Sequence, residues 1–298
     1  MKAIILTIII LTVLSCSREI FLESDHNKSI VVNSVFKAYD EIVLQLSLTS
    51  SPLDEYEDIG ENFHVLLYEN DRLIFDTLTT ETLLKTGIYP SPIAKYSIEV
   101  LSDNHTPIFA TDSIPSLVRI NEAFFNIPAG VDPYGEYYAE VNVSFNDPGD
   151  ATNYYELLIY KATTDTNYWL WAGDYMIMDL VILNEGDLEY MPSSLFFSDE
   201  LFNGEVCNIK VKKGGFSRAQ YSKIDFNHFV ELRSVSQAYY KYRKYYTRHA
   251  HNQQLEPDFL GFVYMGEPQD MYTNVSGGYG IFAGYQKTTK KLNYQPVN

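Results

Sequence analysis

The residues whose types and spacing bear on chemistry are Cys207, a His249-x-His251 pair, the acidic runs Asp54–Asp58 and Asp199-Glu200, and the glycines at 277–284. Cys207 lies in Glu205–Val211 (EVCNIKV), where alternation marks a strand. No His or other base stands near it in sequence, so a small apolar filler is the better reading than a nucleophile. Two imidazoles at i and i+2 do not share a helix face, so joint zinc ligation requires the helix to have ended. Asp54-Glu55-Tyr56-Glu57-Asp58 offers carboxylates to Ca²⁺ but lacks EF-hand order, and reads as a solvated loop. Asp199 and Glu200 offer oxygens to a cation or a partner, whereas a loop held by Asp side-chain caps is the simpler account. Gly277, Gly278, Gly280 and Gly284 precede no Lys-Ser/Thr and lead into a strand. That excludes a phosphate loop and points to a tight turn where backbones approach closely. No Gly-x-Ser-x-Gly elbow occurs, and a carboxylate pair for glycoside hydrolysis is recognisable only in a fold. No catalytic residue, metal or cofactor is assigned.

Cys16 has a different meaning. Met1-Lys2 opens with a positive charge, Ala3–Leu14 (AIILTIIILTVL) is apolar and uncharged, and Val13-Leu14-Ser15 closes the run. This is the order of a secretory signal. The apolar stretch is well short of the ~20 residues of a membrane span. With Cys directly after the small residue, it resembles a bacterial lipoprotein signal. The resemblance implies acylation of the Cys16 thiol, cleavage before it, and outer-membrane attachment by several acyl chains. Two or more chains hold a protein stably, each buried CH₂ adding ~0.8 kcal/mol. Ser17-Arg18-Glu19 lacks the Asp after Cys that retains some lipoproteins at the inner membrane, and it resembles a surface-export tag. The expected location is the outer membrane, facing the exterior.

Composition fits an exported body. Loss of residues 1–15 removes one Lys and moves the formal charge from −17 to −18. So acidic a chain excludes nucleic acid as partner, because phosphate binding needs a basic face. The two cysteines form no disulfide framework, since Cys16 is committed to lipid. With 25 Tyr, 17 Phe and 2 Trp, the chain is an aromatic-rich β protein with broad contact faces.

Roughly 280 residues behind the signal exceed one sandwich, so two domains are expected. Residues 1–15 are the signal and 16–28 a polar tether. Short β-branched or aromatic runs follow at 29–35, 41–48, 62–69, 72–77, 95–101 and 106–113, bounded by turn residues. Glu69-Asn70-Asp71 reads as a hairpin loop. No amphipathic helix interrupts these runs, so 29–115 is expected to be a β-sandwich, Ig-like or transthyretin-like. Pro128, Gly130, Pro133 and Gly135 make 116–137 the candidate linker or long crossover. A larger β-sandwich is expected over 138–298. In its first strand Ala139, Val141, Val143 and Phe145 share a face, and further strands are expected at 153–161, 175–183, 205–212, 225–233 and 279–286. Ser234–His251 breaks the period: Val235, Ala238, Tyr239, Tyr242 and Tyr246 form one stripe, with Lys241, Lys244 and Arg248 on the other side. Ser234 and Gln237 match a capping box, so the spacing predicts an amphipathic helix over about 235–250.

Several segments taken together resemble a known family. They are Phe197–Gly204 (FSDELFNG), Leu232–Ser236 leading into Tyr239–Tyr242, Pro268–Asn274, and Gly277–Tyr285 (GGYGIFAGY). Ile30–Asn33 and the Phe145–Pro148 turn before Asn153-Tyr154-Tyr155 fit as well. Behind a lipoprotein signal, this order is similar to the Bacteroidota lipoprotein family labelled domain of unknown function 4249, across nearly the whole chain. Genes of that family commonly lie beside TonB-dependent outer-membrane receptors. The resemblance implies a non-catalytic accessory lipoprotein serving as lid, substrate-capture or scaffold subunit of a TonB-dependent uptake system, and supplies no catalytic residue. The candidate partner-binding residues are Phe197, Asp199, Glu200, Phe202, Tyr279, Phe282 and Tyr285. An independent glycan-binding or adhesive module on exposed Tyr platforms is the alternative, and an enzyme the third reading.

Overall fold

The computed structural model describes residues 28–50, 60–162, 167–169, 175–216, 227–253, 256–257, 263–264 and 269–295. The expected signal peptide, Cys16, the tether as far as residue 27, the acidic loop Asp54–Asp58 and Pro268 lie outside them.

The chain is mainly β. Its first strands are β1 (Ile30–Lys37), β2 (Val43–Leu48), β3 (Phe63–Glu69), β4 (Arg72–Thr79), β5 (Leu83–Lys85), β6 (Lys95–Leu101) and β7 (Ile108–Ser113). All but the short β5 coincide with the expected runs. Period-two alternation decides which face each strand buries: Ile30, Val32, Ser34 and Phe36 of β1, and Tyr96, Ile98 and Val100 of β6. Between β3 and β4, Asn70 and Asp71 both hold positive φ (49° and 66°), as a two-residue type I′ hairpin requires.

Next come β8 (Ile120–Val131), β9 (Tyr137–Asn146), β10 (Tyr154–Ala162), β11 (Asn167–Trp169), β12 (Tyr175–Ile177) and α1 (Leu180–Asn184). After a 3₁₀ turn at Leu188–Tyr190 follow β13 (Leu195–Ser198), β14 (Val206–Phe216), β15 (His228–Val235) and α2 (Gln237–Asn252). The chain ends through β16 (Glu256–Pro257), β17 (Val263–Tyr264), β18 (Tyr279–Lys291) and β19 (Asn293–Gln295).

One sheet has the order β4-β3-β6-β7, and a second β12-β14-β9-β8-β19. The largest runs β11-β10-β15-β18-β1-β2-β5, with β13 also on β10, while β16 and β17 pair with each other. In it β1 lies parallel to β18, from Val31 opposite Tyr279 to Lys37 opposite Tyr285. Strands from both halves of the chain thus share one continuous sheet. Among the described residues the interior has two main cores. Ile30, Leu46, Val65, Ile98 and Phe282 belong to one, and Val141, Phe145, Tyr155, Ile209 and Leu232 to the other. Phe282, near the C-terminus, therefore completes the core of the N-terminal half.

Three expectations need correction. The linker assigned to 116–137 contains β8, an integral strand paired with β9 and β19. The β8–β9 register shifts between Asn126 and Gly130, and Pro128 occupies that irregularity, where a missing N–H is tolerated. The strand expected over 175–183 ends at Ile177, because the Asp179 carboxylate starts α1. One oxygen accepts from Val181 N at 3.0 Å and the other from Lys210 N at 3.0 Å, replacing β12 at the edge of β14. The cap of the long helix is Ser236 rather than Ser234. Strand β15 continues through Val235, so Ser234 Oγ accepts from Val118 N, while Ser236 Oγ accepts from Tyr239 N at 3.1 Å.

Candidate partner-binding site

The expected partner residues separate by burial. Phe197 is fully buried in β13, its ring centroid 5.5 Å from Tyr155 and 6.3 Å from Phe145. Phe202 stands edge-on to Phe145 at 5.9 Å. Asp199 is buried as a loop cap: Oδ2 accepts from Asn153 N at 2.7 Å, and its carbonyl accepts from Phe202 N at 2.8 Å. Beside it Asp147 accepts from Tyr155 OH and, at 2.9 Å, from Gly204 N. Phe282 is buried against Phe36, 4.6 Å between centroids. Phe197, Asp199, Phe202 and Phe282 are thus withdrawn as partner contacts; their motif encodes packing. Tyr285 is half-buried under the Arg233 guanidinium at 5.3 Å. Glu200, which accepts from Asn184 Nδ2, and Tyr279, 52% exposed, are on the surface.

The glycines behave as their spacing implies. A Cβ at Gly278 would come 2.2 Å from Ile30 O, and one at Gly280 1.9 Å from Val32 O, so β18 lies on β1 only without side chains there. Cys207 is buried, and burial with the Asp179 and Asp147 charges pushes its thiol up to about 12. It is an inert filler. Helix α2 runs through His249 and His251 without ending. His249 Nδ1 pairs with Gln269 O at 3.0 Å, and His251 meets the Tyr190 ring edge-on. No group of three metal-ligating side chains occurs among the described residues.

Charge is concentrated where α2 meets the sheet. Fully buried Glu156 of β10 accepts from Tyr239 OH (2.6 Å), Ser194 Oγ (2.6 Å) and Arg233 Nη1 (2.8 Å), with Arg243 Nη2 at 3.4 Å. Arg233 also donates to Glu231 at 2.7 Å, which Lys287 joins at 2.9 Å. Burial raises the Glu231 carboxyl, but the Arg233 and Lys287 charges and hydrogen bonds outweigh it and hold the group below its ordinary value. Lys244 and Arg248 belong to the same seam. Lys244 Nζ is 2.7 Å from Glu185 and 2.9 Å from Asp187, and Arg248 is 2.6 Å from Asp187. Burial opposes ionisation of Glu185, yet hydrogen bonds from Lys244, Tyr240 and the Ser198 amide leave its carboxyl lowered. At the end of the expected stripe Tyr246 is exposed, while Tyr239 is buried. With both signs paired and no activated nucleophile beside it among the described residues, this cluster is a clamp that seats α2.

A group of exposed apolar side chains lies elsewhere, at the end of β1 remote from residue 28. The β1–β2 connection presents Tyr39, 74% exposed, and the segment after β5 presents Tyr89 and Ile93, 64% and 70% exposed. Tyr39 N donates to Pro90 O at 2.9 Å, and Ile42 N to Ile88 O at 2.8 Å, which ties the two loops together. Tyr39 and Ile93 both hold positive φ (67° and 62°), a rare conformation for an aromatic and a genuine outlier for a β-branched residue. Such strain persists only where surrounding structure enforces it, and it clusters at functional sites. Sequence reasoning missed this tip. Its signal was the Tyr89-Pro90-Ser91-Pro92-Ile93 run, where two prolines stiffen a turn carrying apolar residues that no strand period claims.

No curated protein matches the chain significantly. The family model described as "Domain of unknown function (DUF4249)" matches residues 18–291, from just behind Cys16 to the last residue of β18. The chain belongs to that family.

Proposed function

We propose that the protein is a non-catalytic lipoprotein, anchored through Cys16 to the outer membrane and facing the exterior. In this reading it serves a TonB-dependent uptake system as a lid, substrate-capture or scaffold subunit. The tip formed by Tyr39, Tyr89 and Ile93 carries the reading. Exposed apolar residues held on a rigid scaffold are typical of partner sites, and Tyr is enriched among residues that dominate interface energy. Its position supports the same view. The anchor-bearing segment joins β1 at Ser29, and eight residues of strand place the tip about 26 Å further along. The tip therefore lies at the opposite end of β1 from Ser29, where the chain arrives from Cys16. A lipid anchor confines both partners to one membrane, so a modest interface suffices.

Affinity-tagged full-length protein, extracted from its native membrane in mild detergent, should bring a TonB-dependent receptor with it. Tyr39→Ala combined with Ile93→Ala should release the receptor without changing membrane attachment. Recovery of the protein alone, with unchanged uptake in a deletion strain, would overturn the reading in favour of an independent adhesive module.

A further inference from the structure

The outer face of the five-stranded sheet carries a cleft of 440 Å³ over β8, β9 and β14. Its floor and its polar lining follow from strand period. Ala123, Val143 and Ile209 point into the core, so Glu122, Phe124, Asn142, Ser144, Asn208 and Lys210 project outward. Register aligns them in two rows: Phe124, Asn142 and Lys210 stand opposite one another, and next to them Glu122, Ser144 and Asn208. Adjacent strands are about 4.8 Å apart, so each row spans about 10 Å from β8 to β14, the length of a disaccharide.

Asn142, on the central strand, is the unusual residue. It is only 9% exposed, and its Nδ2 is buried with no hydrogen-bond partner among the described residues. Buried polar groups are ordinarily satisfied, and one that is not calls for an explanation. A polar amide held without a partner, against the wall of a cleft, is a donor kept in readiness for a ligand.

We infer that this cleft is a subsite for a neutral oligosaccharide. Asn142, Asn208 and Ser144 each donate and accept, matching hydroxyl groups that do the same. Phe124 offers a ring whose negative face suits the C–H face of a pyranose. Glu122 and Lys210 carry opposite charges, so the lining has no net charge and does not select an anion. The site stands whether or not the transporter reading does.

The test is calorimetric titration of the full-length lipidated protein in an amine-oxide detergent, which carries no sugar. The neutral probes are maltohexaose, xylohexaose, cellohexaose, laminarihexaose and mannohexaose, with hexagalacturonate as the charged comparison. One or more neutral probes should bind, and Asn142→Ala and Phe124→Ala should each weaken that binding by about tenfold. Asn208→Ala removes an exposed side chain, so the protein will fold, and it should weaken binding by about threefold at unchanged thermal midpoint. Absence of neutral-probe binding, preference for hexagalacturonate, or undiminished affinity in both asparagine variants would each overturn the inference. Receptor co-purification is a separate readout, so failure of either proposal is recognised independently.

Discussion

Asn274 hydrogen-bonds both backbone groups of Phe282. Its Nδ2 donates to Phe282 O at 2.7 Å, and its Oδ1 accepts from Phe282 N at 3.0 Å. The ladder between β15 and β18 ends where Val235 faces Tyr285, and beyond it this side chain takes the place of a neighbouring strand. Asn274→Ala should destabilise the fold by about 1–3 kcal/mol, the penalty for leaving buried backbone groups unpaired. Urea denaturation checks this, and an unchanged midpoint would show that the backbone of β18 is satisfied in another way.

The two serines beside α2 do different work and should report separately. Ser236→Ala removes the helix cap and should cost ~0.5–2 kcal/mol. Ser234→Ala removes the acceptor for Val118 N instead. Hydrogen exchange resolved by peptide mass should therefore show faster opening of the first turn of α2 in Ser236→Ala only. Loosening of that turn by Ser234→Ala as well would contradict the assignment.

The seam predicts acid sensitivity with a definite sign. The Glu185 carboxyl is lowered in the fold, so the unfolded chain binds its proton more readily. Its contribution is fully present above the ordinary value near 4.5 and is lost as pH falls through the lower folded value. Glu185→Gln should lower the thermal midpoint at pH 7, by the equivalent of about 1–3 kcal/mol for a broken charge-assisted bond. As pH falls below the ordinary value near 4.5 the deficit should shrink, because the unfolded parent chain then takes up a proton that the folded carboxyl resists. A deficit independent of pH would disconnect Lys244 from Glu185.

Gly280 combines a positive φ of 112° with a virtual Cβ 1.9 Å from Val32 O. Gly280→Ala must therefore strain its own backbone and push β1 from β18, at a cost of at least about 2 kcal/mol. Loss of soluble, protease-resistant protein is the expected observation. Wild-type stability would mean that the parallel pairing is looser than the register implies.

For the anchor, Cys16→Ala should abolish incorporation of radiolabelled palmitate and leave precursor uncleaved or mislocalised. Cys207 gives no competing signal, because its thiol is buried and protonated. Complete processing and normal membrane attachment in the variant would end the lipoprotein reading.

What the sequence determined by itself is local. Alternation located nearly every long strand, because the period of two follows from the pleat and from one face being buried. Asn70-Asp71 marked its hairpin through backbone preference, and the long helix declared itself by its apolar spacing. The glycines near 280 announced a close approach, although not its partner. Tertiary structure decided everything that depends on distant residues meeting. The parallel β1–β18 pairing joins positions some 250 residues apart, and no local pattern encodes which strand accepts which. Likewise Ser236 caps α2 instead of Ser234 because β15 runs on to pair with β10 and β18. Phe197 and Phe282 look like a recognition motif in one dimension and are core in three, since an aromatic side chain suits an interface and an interior equally well. Asn142 is an ordinary polar residue on a strand until flanking strands bury it. The tip at Tyr39 and Ile93 exists only because packing elsewhere holds both residues in conformations that they would not adopt alone.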